Sequence, residues 1–386
     1  MADSLLTVLG LDIRALACHK HMQTSNRVLT CEMNAPAALE ATAVANSYVR
    51  NEAFMTIETL AASDIALDAI QRYPDADNPS SFLAVNEGNS YLHLPDAPGV
   101  IVYRPTGRYL VQFGGPFAPK RARPRLLRAF ADLAAAQGRE IVTIQLQGAD
   151  APEYLDAGFT VNQIGGSYAL RLDTFSLRGT AFMQLRNKIA RAVRSGMTVG
   201  EAPFEAWQDA IKELDAGWLG GKGGARPLEF LVGQMGGRYQ HLRRLFVGVH
   251  GDRLTGYISY SPVYGSRPGW MHDLSRRRPD SPPGVMEAIN KAAIETFQAE
   301  GVPWLHFGYT PFSGLSAERE LPGHSRAFGW FMDELWTNGG HIYPAQTQFA
   351  YKEKWKQDIV LPEYIAFQHG ASIPALVHVF RACNAV

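Results

Sequence analysis

Two rounds of the same order of elements run through this chain and leave few folds open to it. From about residue 80, short apolar runs at 82–85, 91–94, 100–103 and 109–113 are separated by Gly, Pro and Asn, as in an antiparallel meander. Residues 126–137 then carry an apolar stripe at helical spacing. Residues 141–146 read as a buried strand, 154–158 as one helical turn closing on Gly158, and 168–172 as another strand. The second round opens with helices at 181–195, closed by Gly196, and at 204–218. Strands follow at 245–249, 256–261 and 270–274, then a helix at 285–299 stopped by Gly301, and a strand at 304–307 ending in Gly308. Strands, helix and strand, used twice, predict an α+β architecture with a duplicated mixed sheet, although no literal sequence repeat accompanies it. Ahead of it, 37–49 and 53–70 show apolar residues three and four apart and predict a helical segment ended by Pro74 and Pro79.

Hydrophobic residues at 46% and charged residues at 19% suit a chain with a real core, and 386 residues suggest two or three domains. No stretch approaches about eighteen uninterrupted apolar residues, so no membrane-spanning helix is expected. The first residues, with Asp3 and no basic region, do not read as a secretory signal. Cys18, Cys31 and Cys383 make no disulfide framework, and Cys18-His19-Lys20-His21 lacks the paired spacing of a zinc site. Reduced thiols, no metal and a cytoplasmic setting are the expectation.

Lys+Arg and Asp+Glu balance at 37 each, so any basic surface must come from local segregation of charge. The window 101–130 holds Arg104, Arg108, Lys120, Arg121, Arg123, Arg125 and Arg128 with no acidic residue. A second run is Arg178, Arg186, Lys188, Arg191 and Arg194, of which the last three follow at three-residue spacing and share a helix face. These are either solvated faces balanced by the acidic stretch 201–215, or contacts to phosphate on a nucleic acid or an anionic lipid headgroup. Charge alone does not separate the two partners.

Several ordered blocks carry a resemblance: Gln163-Ile164-Gly165, Ala169-Leu170-Arg171-Leu172, Phe175-Ser176-Leu177-Arg178-Gly179, Leu185-Arg186-Asn187-Lys188, Asp273-Leu274-Ser275-Arg276, Phe307-Gly308-Tyr309-Thr310-Pro311 and Tyr351-Lys352-Glu353-Lys354-Trp355, with Leu361-Pro362-Glu363-Tyr364 behind them. Over roughly 76–370 the chain resembles the soluble synthase domain of the phosphatidylglycerol lysyl- and alanyltransferases, the multiple peptide resistance factor family. That resemblance implies tandem acetyltransferase-like (GNAT) domains with mixed sheets, at 76–178 and 179–386, the second carrying the active site. In the family's best-known members a membrane flippase domain precedes the synthase; here a helical extension over 1–75 stands before it. The resemblance further implies aminoacyl-tRNA as co-substrate, no cofactor, and either a phosphatidylglycerol-like lipid or a small molecule as acceptor. It leaves room for peripheral association with the inner membrane face.

Aminoacyl transfer from an ester needs alignment of a nucleophile with the carbonyl and stabilisation of an oxyanion. It also needs a carboxylate for the donor's α-ammonium and cations for the acceptor-stem phosphates. By resemblance, Asp273 and Arg276 at a strand end are the leading candidates. Asp273 would hold the ammonium or help deprotonate the acceptor, and Arg276 would contact phosphate or the oxyanion; a plain strand-end ion pair is the alternative. Lys352 and Lys354 supply a second cationic group, and in an extended segment both would face the same side. Backbone amides at Gly308 and Tyr309, the wall residue His272, and Trp218 with Lys222 in a glycine-rich gating turn complete the substrate-side candidates. Arg121, Arg123, Arg186, Lys188, Arg191 and Arg194 are the candidate tRNA or phosphate contacts. His306 reads as a core histidine. Two rival readings keep the fold: an acyl-CoA-dependent N-acyltransferase, whose pyrophosphate cradle would fall at Arg276–Gly284 despite three prolines there, and a non-catalytic tRNA- or membrane-binding protein.

Overall fold

The apolar runs close into one sheet. This computed structural model describes residues 62–73, 77–220, 226–341 and 344–385, so the helix expected over 37–49 and the start of the one expected over 53–70 lie outside the described residues. The strands are β1 (Ser90–Leu94), β2 (Ala97–Thr106), β3 (Tyr109–Phe117), β4 (Glu140–Gln147), β5 (Thr160–Arg171), β6 (Met197–Ala202), β7 (Arg244–His250), β8 (Arg253–Val263), β9 (Gly269–Arg277), β10 (Trp304–Pro311) and β11 (Ile359–Phe367). They form an 11-stranded sheet in the order β1-β2-β3-β4-β11-β5-β10-β9-β8-β7-β6. The helices used below are α1 (62–72), α2 (Arg123–Ala136), α3 (Ala151–Asp156), α4 (Met183–Arg194), α5 (Phe204–Gly220), α6 (Val285–Ala299), α7 (Arg326–Asn338), α8 (Ala345–Glu353) and α9 (Ile373–Ala382).

Each half contains one parallel pair bridged by a helix. In the first, β3 and β4 pair in parallel and α2 connects them; in the second, β9 and β10 pair in parallel and α6 connects them. Antiparallel pairing of β5 with β10 fuses the halves. The expected α+β fold of two acetyltransferase-like units is therefore present. The first half, however, takes a strand from the far end of the chain, because β11 lies between β4 and β5.

Helices cover both faces, as a mixed sheet requires. In the first half, α2 lays Leu126, Leu127 and Phe130 on Ile101, Leu110 and Ile141. The opposite face is covered by α1, α7 and α9 through Ile70, Phe328, Met332 and Leu376. In the second half, α4 and α6 pack Leu185, Ile189, Ile289 and Phe297 against Phe246, Ile258 and Tyr260. There α5 covers the other face with Ile211 and Leu214.

The run 82–85, expected as a strand, is instead a buried 3-10 helix, Ser81–Val85. Asn78 sets it up by accepting the Ser80 N–H at 2.8 Å, and the Asn89 amide donates to the Leu83 and Ala84 carbonyls at 3.0 Å. A four-residue apolar run is buried in either conformation, so its pattern does not decide between them.

Candidate active site

Parallel pairing of β9 with β10 stops at Met271 opposite His306, although β9 continues to Arg277 and β10 to Pro311. Beyond that point Gly308 takes φ +68°, a conformation glycine adopts without strain, and the register of β10 against β5 slips between His306 and Gly308. On the other side, β8 pairs Ser259 with Leu274 and Tyr260 with His272, which leaves Asp273 as the extra residue of a β-bulge. Bulges re-aim side chains, and this one turns the Asp273 carboxylate into the sheet face covered by α5.

The Asp273 side chain is 2% exposed, and its Oδ2 makes no hydrogen bond among the described residues. Arg243 Nε lies 3.9 Å away, also without a hydrogen-bond partner, and the buried Ser261 hydroxyl faces the carboxylate. Burial pushes the Asp273 carboxyl up to about 6, while Arg243, Ser261 and the Gly233 backbone draw it back down. Buried polar atoms are ordinarily hydrogen-bonded, so the unmet acceptor on Asp273 makes it the candidate of this site for meeting a cation. Gly233 closes the cage: a Cβ there would stand 2.3 Å from Asp273 Cγ. Gly233→Ala is therefore expected to lower any ligand-dependent rate by about 10- to 100-fold with little loss of secondary structure, measured by kinetics alongside circular dichroism. Arg243 also lines a cavity of about 570 Å³ with Glu201, Phe204, Gln240 and His241.

The two lysines part company. They lie on α8 and its C-cap rather than in an extended segment, so they do not share a side. Lys352 is buried and donates from Nζ to the Gly308 carbonyl at 2.7 Å and the Tyr309 carbonyl at 3.1 Å, plugging the splay of β10. Lys354 instead pairs with Glu287 at 2.8 Å. Burial pushes the Lys352 amine down to about 7, and the Glu363 carboxyl, fully buried on β11, is raised by burial in turn. Glu363 accepts from the Ser167 hydroxyl, while its Oε2 is unpartnered.

The remaining candidates are spread around this gap. Arg276 is bound to Asp215 of α5 at 2.7 Å, and Tyr257 donates to the same carboxylate at 2.7 Å. Trp218 lies 4.9 Å from the Arg276 guanidinium. Arg276 thus ties α5 to β9 beside the Asp273 cage and is already neutralised. His272 points to the opposite face among Tyr260, Phe307 and Tyr351, and burial with the Lys352 charge pushes it down to about 3, so it is a neutral wall residue. His306 is buried too, and its Nε2–H donates to the Arg267 carbonyl at 2.9 Å. Tyr309 is half-buried, and Lys222 lies outside the described residues.

Arg121, Arg186, Lys188, Arg191 and Arg194 are exposed. Arg123 is not: its side chain is 0% exposed and pairs with Asp150 at 2.6 Å and Glu153 at 3.3 Å, locking α2 to α3. The expectation that it touches phosphate is corrected, because the sequence window does not reveal that acidic partners fold over it. Arg123→Met is expected to destabilise the protein by about 3–5 kcal/mol by stranding buried Asp150, measured by denaturant unfolding. Arg243, Gly233, Ser259, Ser261 and Glu363 were not among the sequence candidates. Arg243 and Ser261 come to Asp273 through long-range pairing of β7, β8 and β9 and Gly233 from an irregular segment, while Glu363 stands on β11 toward Lys352; only the block ending in Glu363-Tyr364 gave any signal.

Residues 68–367 match the family model described as phosphatidylglycerol lysyltransferase, C-terminal. Among curated relatives, a phosphatidylglycerol lysyltransferase of Bacillus subtilis (strain 168) is 24% identical over 320 residues, covering 78% of this chain and 36% of that protein. A lysylphosphatidylglycerol biosynthesis bifunctional protein LysX of Rhodococcus opacus is 27% identical over 249 residues, covering 63% of this chain and 22% of that protein. The chain thus spans little more than a third of their length at most. The crystal structure of a C-terminal domain (DUF2156) from Agrobacterium fabrum superposes with TM-score 0.71 at 20% identity, covering 84% of this chain and 98% of that one. The structure of L-PGS from Bacillus licheniformis gives 0.65 at 21% identity, covering 79% and 91%. These two show a common fold, and with the family match over most of its length the chain belongs to the phosphatidylglycerol lysyltransferase C-terminal family.

Proposed function

We propose that this protein is a transferase that moves an aminoacyl group from aminoacyl-tRNA to a hydroxyl of a phosphatidylglycerol-like lipid. The observation that carries the reading is the Asp273 carboxylate, buried on a bulge with an unmet acceptor and held beside Arg243. An α-ammonium would satisfy it. The names of the curated relatives supply the acceptor class.

In this reading Asp273 holds the donor amine and fixes the ester carbonyl at the splay of β9 and β10. The acceptor hydroxyl attacks that carbonyl; its proton passes to the departing ribose oxygen of the tRNA, and one ester replaces another. Lys352, anchored on the Gly308 and Tyr309 carbonyls, places positive charge where the oxyanion develops. The cavity that Arg243 lines has room for the donor's terminal nucleoside. The residues named need no cofactor for this chemistry, since the aminoacyl ester is already an activated donor.

An acyl-CoA donor finds less support. Two of the three arginines before α6 are spoken for, Arg276 on Asp215 and Arg278 on Glu213 at 2.9 Å, which leaves Arg277 as the exposed cation of that stretch beside three prolines.

The test mixes the protein with tRNA charged with labelled amino acids and phosphatidylglycerol vesicles. Label should appear in the organic extract and vanish after ribonuclease pretreatment. Label in an aqueous small product would move the acceptor to the small-molecule class. Transfer only from acyl-CoA would overturn the donor.

A further inference from the structure

We propose that the outward face of α4 is the surface with which this protein rests on an anionic bilayer; the proposal builds on the lipid-acceptor reading above. Among the described residues the exposed large hydrophobic side chains are Met183 at 53%, Val193 at 50% and Trp330 at 68%, and the first two stand at opposite ends of α4. Leu185, Ile189 and Ala192 face the core. At about 100° per residue, Met183, Asn187 and Arg194 then fall at the centre of the outward strip, with Ala190, Arg191 and Arg186 beside it and Val193 and Lys188 at its two margins. The helix carries these four cations and no acidic residue in a chain of zero net charge.

Arg186 donates to the Leu177 and Gly179 carbonyls at 2.6 Å, whereas Lys188, Arg191 and Arg194 have no ion pair or side-chain hydrogen bond among the described residues. Cations alone would suit an RNA backbone as well as a lipid surface. A thioether and an isopropyl group held in water among them gain nothing from phosphates, but they gain from entering the boundary between headgroups and acyl chains. The combination favours the bilayer.

The placement fits the chemistry. The Lys188 carbonyl packs on Gly284, where a Cβ would stand 2.1 Å away, directly before α6. The first turn of α6 also receives Tyr351, whose hydroxyl donates to the Met286 carbonyl at 3.3 Å, and Lys354 through Glu287. The cationic helix and the helix bearing Lys352 therefore flank the same end of α6, so a bilayer on α4 lies on the Lys352 side of the sheet.

The experiment is flotation of the full chain with phosphatidylcholine vesicles containing or lacking phosphatidylglycerol, in parallel with tRNA binding. The wild type should float with anionic vesicles alone, and less so as salt rises. Arg191→Gln with Arg194→Gln should reduce partition about 25-fold, at about fivefold per cation. Met183→Ser with Val193→Ser should reduce it about tenfold while leaving tRNA affinity, and transfer to a detergent-dispersed short-chain acceptor, unchanged. Flotation of the Met183/Val193 variant equal to wild type would overturn the proposal. So would an arginine variant that loses tRNA affinity and keeps flotation, which would make α4 an RNA surface. Flotation that responds as expected in a protein transferring to no lipid would uphold the surface and sink the lipid-acceptor reading.

Discussion

Asp273→Asn is expected to lower kcat/KM for aminoacyl transfer by about 10³-fold while leaving tRNA affinity within about twofold. The substitution keeps the shape of the bulge and the contact with Gly233 but removes the charge that meets the donor amine. Loss of fold would not explain the result. A carboxyl whose folded pKa is raised contributes stability below its ordinary value of 3.8 and loses it as pH climbs through about 6. At pH 7.5 the buried carboxylate is thus a cost that Asn removes, so the melting temperature should hold or rise. Transfer at near-normal rate in this variant would remove Asp273 from the mechanism.

Lys352→Met should cost about 10²- to 10³-fold in kcat, the scale of losing one preorganised oxyanion partner. The pH profile separates this from mere loss of packing. Asp273 acts as an anion, so the rate should rise with pH through about 6. Lys352 acts as a cation and its amine is pushed down to about 7, so the rate should fall as pH passes that value. The wild type is then active in a narrow window between the two. Lys352→Arg, whose guanidinium stays charged, should recover part of the rate and move the falling limb beyond pH 9. A falling limb that stays in place would show that another group sets it.

Much of this was open to reading before any coordinates. The alternation of strands and helix announced a duplicated mixed sheet, and the family resemblance named its acetyltransferase-like halves; Asp273, expected at a strand end, sits instead on a bulge inside β9, which runs on to Arg277. Other features were hidden for identifiable reasons. Pro362 interrupts the run 359–367, and a proline argues against a central strand, yet β11 is central; Pro362 pairs with Gly166 next to a register slip that tolerates it. Glu363 is consequently a buried polar residue whose setting the sequence conceals. Lys352 and Lys354 were expected on one side because helix 345–353 has little apolar periodicity to announce it. Arg123 sits among exposed arginines in sequence, and only the fold of α3 over α2 reveals its burial. Arg243 comes within 3.9 Å of Asp273 across thirty residues of chain because β7, β8 and β9 lie side by side.

The proposed chemistry depends on Asp273 gripping the amine of an aminoacyl-tRNA. The most direct measurement compares initial rates of transfer to phosphatidylglycerol vesicles from one aminoacyl-tRNA with its α-amine free and with that amine acetylated. The ester carbonyl, the tRNA and the acceptor are the same in both. Acetylation is expected to lower the wild-type rate by at least about 10²-fold and to have little further effect on the residual rate of Asp273→Asn. Equal rates from the two donors in the wild type would contradict it.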